Sequence, residues 1–436
     1  MFLEKKDGMG KKNSRNAVIG YDLSDAYAQI TYCFKNSEEP ETFSIVAGTE
    51  QYNIPAVLCK RNEVNQWFYG KEALRYAQEG DGIKVENLVE NARKGQLVDV
   101  GEDSFDPIAL LTLFIKRSLS AMSLVLTTDC VDGVMFTLDN LDKRMIEVLT
   151  QVAANLNLKT SRIFFQSHEE SFYQYMLYQE EKLWTYEVLL CDYDNSTMKI
   201  YELNSNRKTT PVVVFIDTDQ YMEMESKNVL QQERETTEKV RLDQCFLDIL
   251  KRKCGGKAIS SVYLIGEGYK DEWLSESLHY LCQGRRVFRG NNLYSKGACY
   301  SIREKLGLSN AGENYVFLGA DKLRANIGMR VLRNGIDSYF AVMDAGENWY
   351  DAKKEYEVIL ESGDSISIIL TPLNGKDVKE INMILDGLPE RPEGTTRLHI
   401  MMEMLSENQI SVKVKDRGFG ELFAASGGEW VKLFEL

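Results

Sequence analysis

Two prolines set between two glycines, in Gly387-Leu388-Pro389-Glu390-Arg391-Pro392-Glu393-Gly394, do most to limit what this chain can become. Proline locks φ and restrains the residue before it, so the segment is stiff and extended and cannot continue a helix. A strand is expected directly after it: Leu398, Ile400, Met402 and Met404 alternate with Arg397, His399, Met401 and Glu403. In a second strand Ile410, Val412 and Val414 alternate with Ser411, Lys413 and Lys415, the two being joined through Ser406, Glu407 and Asn408. Such alternation buries one face of an antiparallel pair, so this end of the chain is expected to be a β-domain.

The ordered string resembles the substrate-binding β-domain of DnaK-type heat-shock chaperones. There a Gly-Ile-Pro-x-x-Pro-x-Gly segment precedes a strand, a hairpin turn, a second strand and a Lys-Asp-x-Gly-x-Gly turn. The matching residues are Gly387-Leu388-Pro389, Pro392, Gly394 and Lys415-Asp416-Arg417-Gly418-Phe419-Gly420. In the hairpin turn, where the family usually has Asn-Gly, this chain has Glu407-Asn408, and asparagine tolerates positive φ.

With 436 residues and 44% apolar content the chain is long enough for two to four packed domains. A net charge of −14 argues against an ordinary nucleic-acid-binding surface, which needs clustered Lys and Arg. The eight cysteines form no Cys-x-x-Cys pair, and several lie in apolar runs, as in Leu189-Leu190-Cys191, so reduced core thiols are expected. The first 15 residues carry charge but no apolar core and are expected to be a flexible tail. No run of about 18 consecutive apolar residues occurs, so no membrane span is expected, and the cytoplasm is the default compartment.

Ahead of the β-domain, Ala17 to Cys33 reads as a β-hairpin, and Asp106-Pro107 as the cap of an apolar helix reaching about Leu126. A strand (Val131 to Leu138), an amphipathic helix (Leu141 to Leu156), a strand at Ile163-Phe164-Phe165 and a helix from Glu169 follow. The succession then repeats: Val188 to Asp192, Met198 to Leu203, Val212 to Ile216, a helix ending near Lys253, Val262 to Ile265 and a helix to Cys282.

Two αβ halves, each opening with a hairpin, resemble an actin-type ATPase, which the same chaperone family carries N-terminal to its β-domain. Gly20-Tyr21-Asp22-Leu23-Ser24-Asp25-Ala26 resembles the first phosphate hairpin, usually Gly-x-Asp-Leu-Gly-Thr-Thr. Asp192-Tyr193-Asp194-Asn195-Ser196-Thr197 resembles the second, usually Asp-Leu-Gly-Gly-Gly-Thr. Val262 to Gly268 resembles the adenosine turn, and Asn292 to Ala298 the segment after it. Gln166 to Tyr175 resembles the Asn-Glu-Pro-Thr helix start, with Ser167 where the catalytic glutamate would lie, so no catalytic residue is assigned.

The implied fold class is an α/β actin-like (ribonuclease H-like) duplicated ATPase fold followed by an all-β sandwich. The implied domains are a tail at 1–15, lobe I at 16–185, lobe II at 186–312 with a reduced subdomain, and a linker plus β-domain at 313–436. The apolar linker is matched to Tyr315-Val316-Phe317-Leu318-Gly319-Ala320-Asp321, although a plain strand explains those residues equally well. The resemblance implies ATP or ADP bound around Asp22, Ser24, Asp192, Thr197, Gly266 and Gly268, with magnesium held by Asp22 and Asp192. A purely structural reading of the two aspartates, as caps of hairpin turns, has equal standing.

Departures from the family bear on that chemistry. Hairpin glycines let backbone N–H groups approach phosphates, and most of them are replaced here. Asp25 and Asp194 would set carboxylates beside phosphate, a repulsion of roughly 4 kcal/mol at ~4 Å and an effective dielectric of 20. The interval from Asp192 to Gly266 is also too short for the large second-lobe subdomain of the chaperones. Other motifs are incomplete: His168-Glu169-Glu170 lacks a second zincin histidine at Phe172, Gly255-Gly256-Lys257 lacks the rest of a phosphate-binding loop, and no Gly-x-Ser-x-Gly elbow occurs.

In the β-domain the resemblance implies an extended apolar peptide in a cleft, with Tyr356, Ile366 and Ile368 at pocket positions. The chain ends without a helical lid, so peptide exchange is expected to be fast and binding weak. The leading expectation is a cytoplasmic protein- or peptide-binding module with a degenerate nucleotide site. An active ATP-driven chaperone is the alternative, with Asp25 or Asp194 working through an extra metal, and an actin-fold sugar or acid kinase is the third reading.

Overall fold

A strand buried along its whole length, β1 (Ala17–Leu23), sits inside the first sheet, which is why, apart from Asp22, its residues are apolar on both faces rather than alternating. The computed structural model describes residues 16–435 other than 63, 65, 227–231, 320–321, 334, 374–376 and 407–408. The tail at 1–15, the hairpin turn at 407–408 and residues 320–321 of the expected linker lie outside the described residues.

β1 pairs antiparallel with β2 (Tyr27–Phe34), which is flanked by the short strands β3 (Glu41–Thr42) and β4 (Ile54–Pro55). A small antiparallel sheet follows, made of β5 (Leu58–Arg61), β6 (Trp67–Tyr69) and β7 (Gly82–Val85), with α1 (Gly70–Glu79) between the last two. Next come α2 (Leu88–Lys94), the pair β8 (Val98–Val100) and β9 (Asp103–Phe105), and α3 (Pro107–Ala121). Asp106 caps α3 by accepting from the Ile108 N–H at 3.0 Å, and Pro107 takes the first position, where its missing N–H leaves no bond unmade. Residues Pro107–Leu124 are long and apolar enough to cross a membrane, yet Leu110, Leu111, Phe114 and Ile115 are buried in the core around β1. β10 (Val131–Leu138) lies parallel to β1; α4 (Lys143–Leu156) leads to β11 (Ile163–Ser167), parallel to β10, and then α5 (His168–Leu177).

The second sheet repeats the first. β12 (Glu187–Tyr193) and β13 (Met198–Asn206) form its hairpin, and β14 (Val212–Tyr221) extends it antiparallel. After α6 (Gln232–Cys254), β15 (Ile259–Ile265) lies parallel to β12; after α7 (Glu276–Leu281), β16 (Arg286–Arg289) lies parallel to β15. The order β16-β15-β12-β13-β14 has the same strand senses as β11-β10-β1-β2-β3.

α8 (Leu293–Lys305) follows β16 in sequence but packs on α5 and β1. The helices approach so closely that a Cβ on Gly297 would lie 1.9 Å from the Ser171 carbonyl oxygen, so only glycine fits there. The chain divides into two compact units, residues 16–179 with Asn291–Ala311, and Glu180–Gly290 with 312–435. β17 (Tyr315–Leu318) pairs parallel with β14, so this part of the expected linker is a sheet strand.

Two four-stranded antiparallel sheets complete the second unit. One has the order β19-β18-β21-β22, from β18 (Ala325–Arg333), β19 (Ile336–Met343), β21 (Ser365–Pro372) and β22 (Lys379–Ile384). The other is β20-β23-β24-β25, from β20 (Lys353–Leu360), β23 (Thr396–Ser406), β24 (Gln409–Gly418) and β25 (Glu429–Glu435). Ile327, Ile368 and Leu370 share one core with Leu398, Ile400, Met402, Val412 and Val414, so the alternation read in β23 and β24 is the sandwich's inner face.

The proline segment is pinned to this sandwich by an ion pair. Arg391 donates to both carboxylate oxygens of Asp416, at 2.8 and 2.7 Å, with side chains only 4% and 0% exposed. Asp416 also accepts from the Gly418 and Ser426 N–H groups. The Arg391 guanidinium, aided by these N–H donors, holds the Asp416 carboxyl well below the usual carboxylate range.

Candidate functional site

At the end of β1, Asp22 is 2% exposed, and its Oδ1 accepts a hydrogen bond of 2.8 Å from His168 Nε2 at the start of α5. The buried imidazole stacks on Tyr294 of α8, with ring centroids 3.8 Å apart and planes 7° from parallel. The carboxylate implied as a magnesium holder is thus engaged by a histidine. Ser167, at the position of the family's glutamate, caps α5 by accepting from the Glu170 N–H at 3.1 Å.

The other polar groups of the first hairpin are also satisfied locally. Ser24 Oγ donates to the Tyr27 carbonyl at 2.9 Å and accepts from the Tyr27 N–H at 3.1 Å, closing the turn. Asp25 Oδ1 accepts from the N–H groups of Val89 (2.8 Å) and Glu90 (3.3 Å), at the start of α2. There the preceding Asn87 holds a left-handed conformation and makes no side-chain cap bond, so Asp25 supplies the cap from outside the helix. Burial raises the Asp25 pKa, against the lowering effect of the two N–H donors.

The second hairpin follows the same pattern with different residues. Asp194 Oδ1 accepts from the Ser196 N–H and hydroxyl and from the Thr197 N–H, at 2.7 to 2.9 Å, which closes an Asx turn around Asn195 at φ 73°. The Thr197 hydroxyl lies 3.4 Å from the Met222 sulfur. Asp192, half-buried, is the penultimate residue of β12 and lies opposite Ile265 of β15. Tyr193 is buried, donates from its hydroxyl to the Met224 carbonyl at 2.8 Å, and meets Tyr269 and Trp273 edge-on at 5.7 Å.

Gly266 and Gly268 owe their presence to that tyrosine. At Gly266 (φ 103°) a Cβ would lie 2.2 Å from the Tyr193 carbonyl oxygen, and at Gly268 2.3 Å from its ring. Among the described residues no group of three or more His, Cys, Asp or Glu side chains is arranged to hold a metal ion.

In the sandwich the three residues matched to peptide-pocket positions part company. Ile368 is wholly buried in the core. Tyr356 is half-buried, edge-on to Phe340 at 5.1 Å, with its hydroxyl 3.5 Å from the Val342 carbonyl oxygen. Ile366 reaches a groove of about 870 Å³ that runs beside β20, with Val331 of β18 and Val358 and Leu360 of β20 along it. Sequence reasoning missed Val331, Val358 and Leu360, although the same alternation contains them.

The model of the "Family of unknown function (DUF5716) C-terminal" matches residues 39–320, well over half of the chain. The chain belongs to this DUF5716 family. A second model, "Domain of unknown function (DUF8552)", matches residues 322–436. The step from the DUF5716 region to the second match falls between β17 and β18, later than the boundary at 312 and in keeping with the pairing of β17 to β14. A search of curated proteins gave no match.

Proposed function

We propose that this chain is a divergent relative of the DnaK-type chaperones that works in the cytoplasm as a protein- or peptide-binding module. The observation that carries the reading is the groove of about 870 Å³ beside β20, whose lining mixes apolar side chains such as Val331, Val358 and Ile366 with charged ones such as Arg330, Asp337 and Glu361, and whose size suits a ligand segment. The repeated strand order of the two αβ sheets, followed by the two-sheet sandwich, supports an actin-like half joined to a chaperone-like β-domain.

The side chains around the hairpins fit a magnesium nucleotide poorly. Asp22 is bound by His168, Asp25 caps α2, Asp194 closes its own turn, and Tyr193 packs under Gly266 and Gly268. A ligand there would have to displace hydrogen bonds worth about 1 kcal/mol each and reopen a packed aromatic cluster. No reaction step is therefore assigned to this half, and its role in the proposal is that of a scaffold.

Calorimetric titration with ATP and magnesium, alongside a peptide array, tests the proposal. Peptide capture without nucleotide binding is the expected result. Micromolar nucleotide affinity with turnover would replace the scaffold reading by that of an active ATPase.

A further inference from the structure

We infer that β20 is a docking edge at which an extended, basic polypeptide segment pairs main chain to main chain as an added strand. The inference rests on the peptide-binding reading above and gives it a location and a chemistry. β20 is terminal in its sheet, and β23 is its one strand partner among the described residues. The Ala352 carbonyl accepts from the Met404 N–H at 3.1 Å, and the β20–β23 register continues without a shift from Lys353↔Glu403 to Leu360↔Thr396. Main-chain groups of successive residues point to opposite sides of a strand. Those of residues 354, 356, 358 and 360 therefore face β23, while those of Lys353, Glu355, Glu357 and Ile359 face outward.

An outward row of donors and acceptors is a template for another strand, and proteins usually blunt it with proline, a bulge or charged residues. β20 has no proline and no bulge, and its charges, Lys353, Lys354, Glu355 and Glu357, lie ahead of an uncharged stretch, Val358, Ile359 and Leu360, that leaves this end of the edge open. Its outward side opens on the groove, where Ile359 is 57% exposed beside the more buried Val358 and Leu360. Strand addition takes affinity from the main chain and specificity from side chains seated in alternate pockets, and this edge offers both. Charge selects the occupant: among the described residues Asp337, Glu357 and Glu361 line the groove with one cation, Arg330, and Glu357 also lies 3.8 Å from Arg397 in an exposed ion pair, which leaves Asp337 and Glu361 as the carboxylates that favour a basic segment. A segment alternating apolar residues with Arg or Lys meets both the apolar wall and the carboxylates.

The test is fluorescence anisotropy of the full chain with a labelled peptide of alternating leucine and arginine, compared with its leucine–aspartate counterpart. Glu357→Pro removes one outward N–H while leaving the ladder to β23 intact; Ile359→Arg places a cation on the apolar wall and serves as the second variant. The basic peptide is expected to bind more tightly than the acidic one, and each variant to weaken it by about tenfold, the value of one hydrogen bond or one buried apolar contact. Equal binding by wild type and both folded variants would overturn the docking edge and leave the peptide-binding reading standing. Binding of neither peptide by the wild type would overturn both. A concentration-dependent dimer in sedimentation, abolished by Glu357→Pro, would make the occupant a second copy of this chain and overturn the inference as stated.

Discussion

The two hairpins of the repeated sheets and the edge of the sandwich treat their polar groups in opposite ways. In the hairpins three aspartates are held by partners within the fold: Asp22 by His168, Asp25 by the start of α2, and the exposed Asp194 by its own turn. Along β20 the main-chain groups of Lys353, Glu355, Glu357 and Ile359 have no strand opposite them among the described residues. A group already satisfied must be desolvated or unbonded before it can serve a ligand, whereas an open edge gains bonds on binding. The proposed function rests on this contrast between hairpin side chains already bonded within the fold and a sheet edge open to further bonding.

The sharpest way to test this contrast is to damage the rigid part of the sandwich. Arg391→Ala leaves the Asp416 carboxylate buried without its cation and should cost roughly 3–5 kcal/mol, read as a fall in the denaturation midpoint of the sandwich. The pH dependence has a defined sign. Asp416 has a lower pKa folded than unfolded, so its contribution is complete above the unfolded value of about 3.9 and is lost as pH falls through the folded value. Unfolding followed from pH 6 down to pH 2 should show that acid slope in the wild type and lack it in Arg391→Ala.

A smaller loss is expected in the first unit. His168→Ala leaves the buried Asp22 oxygen without its donor and should cost about 1–3 kcal/mol, with His168→Gln recovering part of it. Calorimetric unfolding checks the order of the three proteins. If His168→Ala instead left stability unchanged while creating magnesium affinity, Asp22 would be a latent ligand rather than a structural one.

The helix cap is smaller again. Asp25→Ala should destabilise by about 1 kcal/mol through the loss of the cap on α2. Asp25→Asn keeps the acceptor oxygen and should be near neutral at pH 7, because burial already disfavours the charge. Hydrogen exchange over residues 88–94 distinguishes the two variants; a large loss in both would mean that the charge itself matters.

Much of this architecture was legible in local pattern. Asp106-Pro107 announced α3 through cap chemistry, and the apolar spacing of Leu149, Val152 and Leu156 announced the buried face of α4. Both hairpins lie where Gly20 to Ala26 and Asp192 to Thr197 suggested, because strand length and turn residues are local properties. The roles of the site residues were not legible. Asp22 meets His168 across 146 residues and Asp25 meets Val89 across 64, and no periodicity encodes such pairs. Period-two alternation also cannot separate core from pocket: Ile366 and Ile368 share one face of β21, yet only Ile366 lines the groove. Tyr315–Leu318 is apolar enough for a linker or a strand, and pairing with β14 decides for the strand.

Hydrogen–deuterium exchange of the full chain with the leucine–arginine peptide and, separately, with ATP and magnesium tests the central contrast most directly. The account predicts slower exchange at the outward amides of residues 353–359 with the peptide, and no change at residues 22–25 or 192–197 with nucleotide. Protection of those hairpins by nucleotide, with β20 unaffected by peptide, would contradict it.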